Sequence, residues 1–254
     1  MVDLHCHILP GVDDGARDLS ESIEMAKIAV QQGIHTIVAT PHHLNNRYEN
    51  PKQSILARVE ELNRVLLDEK IDIKILPGQE VRIHGELAEG YDLGKILPVN
   101  HTQYVLVEFS SNHVPRYTET LFYDLQNKGL IPVIVHPERN QEIIENPDIL
   151  YELVQKGALS QVTASSITGN FGKKIMKFTY QLIDANLTHF IASDAHNTRS
   201  RTFNLHEAYD LVQTKYGNEM VYLFEENAAL LIEGDHVYKE VPERIKKKRF
   251  FNIF

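Results

Sequence analysis

Residues 2–7 read Val-Asp-Leu-His-Cys-His. The run has the character of a short β-strand, and a side-chain period of two puts His5 and His7 on one face and Cys6 on the other. Six more apolar, β-branched runs follow, at 35–40, 72–76, 104–108, 131–135, 160–163 and 189–192. Amphipathic segments separate them. Short strands alternating with helices predict βα units around a parallel sheet. Tyr-Val-Leu-Val at 104–107 and Pro-Val-Ile-Val at 132–135 are as continuously apolar as strands covered on both faces should be.

The intervening segments carry helix punctuation. Asp18 and Glu21 form a capping box before a stripe of Ile23, Ala26 and Val30, and Gly33 ends that helix. Asn50-Pro51 predicts an N-cap with proline at the first helical position, opening a helix with Ile55, Val59, Leu62 and Leu66 on its inner face. Leu121 and Leu125 before Gly129 mark another helix, and Asn146-Pro147 and Gly157 bracket the next. Residues 85–95 support no assignment. There is no internal repeat and no domain boundary before about Pro242, which leaves one unit over 1–241 and a tail over 242–254.

The residues at the strand ends distinguish an open sheet from a barrel. His5, His7 and Asp14 come at or after the end of the first strand, His42 and His43 after the second, and Glu80 after the third. Glu108 ends the fourth, His136 comes directly after the fifth, and Asp194 and His196 after the seventh. Six of seven strands thus deliver a metal-competent side chain at the same end. An open sheet concentrates its chemistry at one switch point, whereas a (β/α) barrel draws it from many strand ends. The pattern therefore favours a barrel of βα units, with a metal centre on its axis, over an open sheet.

Singly, each signal has an ordinary reading. His5-Cys6-His7 and Asp194-Ala195-His196 fit hydrogen-bonded side chains equally well, Asp13-Asp14-Gly15 fits a turn, and Glu80 fits a helix start. Glu108 is different, because a buried carboxylate without a partner costs several kcal/mol. A cation resolves that cost. Imidazole and carboxylate ligands suit Mn, Fe or Zn better than thiolate-loving ions, and nine candidate ligands exceed the needs of one ion. Clustered ions favour phosphoester hydrolysis, with a shared hydroxide attacking in line. Arg139, in His-Pro-Glu-Arg-Asn, and Arg201, near Arg199, add guanidinium groups suited to gripping a phosphoryl group. Pairing of Arg139 with Glu138 or Glu142 is the plainer alternative.

Other motifs fail. A cysteine phosphatase built on Cys6 would need arginine at position 12, which is Val12. Gly169-Asn-Phe-Gly-Lys-Lys resembles a phosphate-binding loop, but its glycine spacing is short and Lys174 stands where Ser or Thr should be. It reads as a helix start or as part of the substrate cleft after strand six.

The 254 residues carry 35 acidic and 26 basic side chains, a net charge of −9, which disfavours nucleic acid as a partner. One cysteine permits no intrachain disulfide. No run approaches the ~20 apolar residues of a membrane span, and the N-terminus has no signal-peptide character. These features predict a soluble cytoplasmic protein. The tail, with Lys246-Lys247-Lys248-Arg249 beside Phe250, Phe251 and Phe254, is either solvated or a contact for anionic lipid or a membrane-borne kinase.

Taken together, His-x-His at 5–7, Ala-Thr-Pro-His-His at 39–43, His136 and Ser-Asp-Ala-His at 193–196 resemble the polymerase-and-histidinol-phosphatase (PHP) superfamily. Leu9-Pro-Gly-Val-Asp-Asp-Gly15, Leu76-Pro-Gly-Gln-Glu80, Val114-Pro-Arg-Tyr117 and His136-Pro-Glu-Arg-Asn140 narrow the resemblance to its bacterial protein-tyrosine phosphatases of capsule and exopolysaccharide operons. It runs from Met1 to about Glu233. The resemblance implies a distorted (β/α)7 barrel holding three divalent ions, commonly manganese, with iron, zinc or magnesium as alternatives. By position, His5, His7, Glu80 and Asp194 would hold one ion, Glu80, Glu108 and His136 a second, and Asp14, His42 and His196 a third. Arg139 and Arg201 would hold the phosphate, and His43 would stand behind the ligands. The implied substrate is phosphotyrosine on a tyrosine kinase or its targets. The alternatives are a PHP phosphoesterase acting on a small ester such as histidinol phosphate, and a metal-binding scaffold without turnover.

Overall fold

The computed structural model describes residues 1–246. The basic and aromatic run from Lys247 onward, read as either a solvated tail or a contact for anionic lipid or a membrane-borne kinase, lies outside the described residues. The chain begins with β1 (Val2–Cys6), α1 (Leu19–Gln31), β2 (Thr36–Ala39), β3 (His42–His43), α2 (Lys52–Asp68), β4 (Lys74–Pro77), β5 (Glu80–Arg82) and α3 (Leu87–Asp92). It continues with β6 (Tyr104–Glu108), α4 (Thr118–Asn127), β7 (Ile131–Val135), α5 (Gln141–Glu145), α6 (Asp148–Gln155), β8 (Leu159–Thr163) and α7 (Ala164–Ile167). α8 (Lys173–Asp184), β9 (Phe190–Ala192), α9 (Leu205–Tyr216) and α10 (Asn218–Glu233) complete it.

All strand pairing in the two sheets is parallel. One sheet has the order β1-β2-β4 and the other β3-β5-β6-β7-β8-β9. Among the described residues there are nine strands where seven are expected, because the second and third are each continued, past a break, by a short further strand. Pro41, which has no N–H to give a ladder, separates β2 from β3. Gly78-Gln79 separates β4 from β5, and the Gln79 side chain leaves the strand pattern to bond Asn50 O at 2.7 Å and Leu97 N at 3.0 Å. Pairing continues past both breaks, with Gly78 N on Ala39 O at 2.9 Å and Glu80 N on Pro41 O at 3.1 Å. Beyond β9, an isolated parallel bridge joins Ala195 to Cys6. A core cluster of Val38, Leu76, Leu106, Val133, Leu159 and Phe190 draws on both sheets.

Several local expectations change. Asp18 does accept from Glu21 N at 2.9 Å, but Glu21 reaches Arg17 N rather than closing a box onto Asp18. α1 buries Ser22, Met25, Ala26 and Ala29, so the stripe sits one position off, and Val30 is exposed. Asn50 does not cap α2. Its side chain instead donates to Val12 O and His42 O, which ties the loops after β1 and β3 together. The unassigned 85–95 stretch contains the short α3. The inner face of α2 is the expected Ile55, Val59, Leu62 and Leu66, and Leu121 and Leu125 are buried on α4. Near the end of the described chain, Arg244 pairs with Asp148 at 2.8 Å and with Glu152.

Candidate metal centre

The strand ends meet. His5, His7, His136, His196, Glu80, Glu108 and Asp194 are buried, His42 is nearly so, and Asp14 lies at the rim. Three groups of ligand atoms each lie within 4.8 Å of one another: His7, Asp14, His42 and His196; His5, His7 and Glu80; and His42, Glu80 and Glu108. His136 and Asp194 complete the cluster. Nε2 of His136 is 2.8 Å from Glu80 Oε1, and Asp194 Oδ1 lies 3.4 Å from Nε2 of both His5 and His7. The nine side chains singled out as ligands thus share one site. His42 and His7 bridge more of it than the expected partition allows, each belonging to two groups.

Backbone geometry aims these groups. His136 and Asp194 both have left-handed φ values, +37° and +52°, rare for residues with a Cβ. Each turns a strand end so that its side chain enters the cluster. The loop after β1 folds back beneath His7, with Ala16 N bonded to His7 O at 3.0 Å. A Cβ on Gly15 would lie 2.1 Å from that carbonyl oxygen, so only glycine fits there. The close approach places Asp13 under His7 and Asp14 at the rim.

Residues that sequence reasoning missed orient the imidazoles. Asp13 Oδ2 lies 2.7 Å from His7 Nδ1 and also accepts from His42 N at 3.1 Å, while Gln161 Oε1 lies 2.9 Å from His5 Nδ1. A partner at one ring nitrogen fixes the tautomer and aims the other nitrogen, as is usual for metal-binding histidines. Gln161 left one signal, a long polar side chain inside a buried strand. Asp13 left none separable from a turn. Arg82, also unmarked, lies 3.0 Å from Glu108. His43 is buried on the other side of its strand, where Nδ1 accepts from Asn50 N at 3.2 Å.

The arginines do not take the plainer option. Asp194 Oδ2 accepts from Arg139 Nη1 at 2.5 Å and Arg201 Nη2 at 3.0 Å. Glu138 instead accepts from Thr163 N and Ser166 Oγ, and Glu142 from Val114 N.

The electrostatics favour cations. Burial opposes charge on Glu80, yet His42 and His5 hold its carboxyl well below the usual range, and Arg139 and His5 do the same for Asp194. Burial, reinforced by Glu80, pushes Glu108 up to about 7. Burial also lowers His136 to about 3, with Arg139 helping, and His196 to about 4, with His7 helping, so both present neutral imidazoles at neutral pH. Nδ1 of His42 comes within 2.7 Å of Glu80 Oε2 without hydrogen-bond geometry, and His196 Nε2, 3.6 Å from Asp14 Oδ1, has no hydrogen-bond partner among the described residues. Converging carboxylates and unpartnered imidazole nitrogens are the donor set expected for borderline divalent cations.

Comparisons with known proteins agree with this geometry. Residues 1–233 match the family model described as "Capsular polysaccharide synthesis, CpsB/CapC". The chain is 50% identical over 254 residues to the tyrosine-protein phosphatase YwqE of Bacillus subtilis, covering all of both chains. It is 30% identical over 222 residues to the tyrosine-protein phosphatase CpsB of Streptococcus pneumoniae, covering 85% of this chain and 91% of that one. A solved structure from work on YwqE and CpsB, described as unique metal-dependent tyrosine phosphatases, superposes with a TM-score of 0.95. At 50% identity it covers 97% of this chain and 100% of that one. A phosphotriesterase homology protein of Escherichia coli, 11% identical, superposes with a TM-score of 0.56 over 91% of this chain and 98% of that one, a likeness of fold alone.

Proposed function

The chain belongs to the CpsB/CapC family of capsular polysaccharide synthesis, and from that premise we propose that it is a metal-dependent protein-tyrosine phosphatase acting on a tyrosine kinase or its targets. A relative at 50% identity is a tyrosine-protein phosphatase, and a structural neighbour at that identity is described as metal-dependent. The observation that carries the reading is the convergence of four imidazoles and three carboxylates into three overlapping ligand groups, lined by two arginines.

In this reading the catalytic unit spans 1–241, and the strands form a distorted (β/α)7 barrel. Support for closure comes from the seam between the two sheets. There, His7 N donates to Ala195 O at 2.9 Å and Asp194 N to His5 O at 2.8 Å. Three divalent ions, with manganese the first choice, would be held by His5, His7, Glu80 and Asp194, by Glu80, Glu108 and His136, and by Asp14, His42 and His196, with His7 also close to the third group and His42 to the second. Such ions supply a hydroxide at neutral pH and Lewis-acid contacts to phosphoryl oxygens.

The chain's own residues do the rest. Asp13 and Gln161 hold His7 and His5 in fixed orientations. Arg139 and Arg201 are catalytic: each guanidinium has five N–H donors, one of which Asp194 engages by hydrogen bond. The remaining donors suit the equatorial oxygens, where charge develops in the transition state. Tyrosine's phenol, with a pKa of about 10, leaves readily as phenolate, which suits a site whose nearby groups are committed to ligands. Among the described residues no helix is long and apolar enough to cross a membrane. A cytoplasmic location is part of the proposal.

Hydrolysis of phosphotyrosine and phosphoserine peptides of one sequence, and of a small phosphomonoester, in manganese and after chelation, tests the reading. Chelator-sensitive preference for phosphotyrosine, absent in Asp194→Ala, is expected. Preference for the small ester, or no turnover with metal bound, overturns it.

A further inference from the structure

The Gly169-Asn-Phe-Gly-Lys-Lys stretch is a helix start, with Gly172 standing immediately before α8. It is also a tight turn. Asn170 N bonds Ser165 O at 3.0 Å and Gly172 N bonds Gly169 O at 2.8 Å, with left-handed φ of +85° at Gly169 and +91° at Gly172. The turn holds Phe171 half-buried beside the site, its ring centroid 5.4 Å from Cζ of Arg139. A second half-buried ring stands on another side. Asn45 Oδ1 accepts from Arg47 N at 3.1 Å and Tyr48 N at 2.8 Å, and this turn sets the Tyr48 ring 6.2 Å from that of His42 and within 7° of parallel. Tyr48 follows β3 and Phe171 follows β8, strands four positions apart in the six-stranded sheet.

Neither ring belongs to the ligand set, and neither carries a charge with which to hold phosphate. The metal donors and arginines meet only the phosphoryl group, which is the same in aryl and alkyl esters. Discrimination between the two needs contact with the carbon side of the ester, and a half-buried aromatic ring offers a phenyl group a face or edge to pack on.

We propose that Tyr48 and Phe171 are specificity-determining residues that pack against the phenyl ring of the substrate and make the site prefer aryl over alkyl phosphate esters. This rests on the phosphatase reading above and adds to it the part of the site that reads tyrosine. Phe171 also shelves Arg139, so its replacement has to be tested with a probe that senses the phosphate grip alone.

The test is calorimetric binding of benzylphosphonate and methylphosphonate to the manganese-loaded protein, alongside hydrolysis of a phosphotyrosine peptide by the wild type. Tyr48→Leu and Phe171→Leu should each raise Kd for benzylphosphonate about tenfold, the upper end for one aromatic contact. Kd for methylphosphonate should stay within about twofold, and Tyr48→Phe should bind both as the wild type does. If both phosphonates weaken together, the rings only position the phosphate grip. If neither weakens, they do not touch the ligand. Either result overturns the proposal. Failure of the wild type to hydrolyse the peptide would instead overturn the phosphatase reading, and the phosphonate comparison would still report on the rings.

Discussion

Nη1 of Arg139 meets Oδ2 of Asp194 at 2.5 Å, while Oδ1 of the same carboxylate faces His5 and His7 at 3.4 Å. One carboxylate therefore sets the spacing between the proposed phosphate grip and the proposed metal ligands. Arg139→Ala should lower kcat/KM for a phosphotyrosine peptide by about 10²–10³, the usual loss for one donor to developing charge. Because Asp194 keeps Arg201 as a second partner at Oδ2 and still turns Oδ1 to His5 and His7, bound manganese at saturating metal should stay near the wild-type amount. Steady-state kinetics with metal analysis of the same samples checks this, and a parallel loss of metal would make Arg139 structural. Arg139→Lys should recover little, since a point charge does not reproduce a planar fork.

The two orienting contacts predict a graded effect. Asp13→Asn keeps the size of the side chain but removes the charge that faces His7 Nδ1. With Asp13 in place, and against the effect of burial, the His7 imidazolium is held well above its ordinary pKa. Metal affinity should fall about 10- to 100-fold, the typical cost of losing an orienting partner, and Gln161→Leu should do the same through His5. Manganese titration against a competing chelator measures both. Affinities within twofold of the wild type would mean that the ring orientations are set by packing alone.

The sequence displayed the ligands because their signal is local: strand ends repeat, and a carboxylate such as Glu108 at the end of an apolar run has no cheap explanation. Asp13 and Gln161 were hidden for the opposite reason. Their partners are 6 and 156 residues away, and a neighbouring aspartate or a strand glutamine serves many ordinary roles. The nine-strand count was equally hidden, since whether Pro41 ends a strand or only interrupts it depends on pairing beyond it, at Glu80. Asn50 misled because the residue before a proline commonly caps a helix, while here its amide joins two loops of the site. The Val30 stripe misled because the same periodicity fits a face rotated by one residue.

Removing metal should cost stability as well as activity. Glu80, Asp194 and Glu108 are buried close together, and without cations their charge is balanced only by imidazoles and by arginines at the edge. A ligand at 100 times its Kd stabilises the folded state by about 2.7 kcal/mol, so millimolar manganese should raise the Tm by several degrees above that of chelated protein. Asp194→Ala should shrink that increment. Thermal unfolding with and without chelator reads it directly, and identical curves would mean that no ion is bound at the cluster.

His189 predicts a pH dependence separate from the metal centre. It is buried at the start of β9, where Nδ1 accepts from Ser160 N at 3.1 Å, and burial together with the nearby Lys239 lowers it to about 3. Asn227 bonds its backbone carbonyl and carries no charge that would favour the imidazolium. In the unfolded chain the ring titrates near its ordinary value of about 6.5. Between those values the unfolded state takes a proton that the folded state refuses, so acid favours unfolding. The contribution to stability is complete above pH 6.5 and falls as the pH drops, with a limiting slope of about 1.4 kcal/mol per pH unit. His189→Gln keeps an acceptor for Ser160 N but cannot titrate. It should be less stable than the wild type at pH 7.5, by about 1–2 kcal/mol for the imperfect fit, and the gap should narrow towards pH 5. Urea unfolding of both proteins across that range, with chelator present in every sample, gives the difference directly. Parallel stability curves would show that His189 is protonated to the same extent in both states, which its buried acceptor role does not allow.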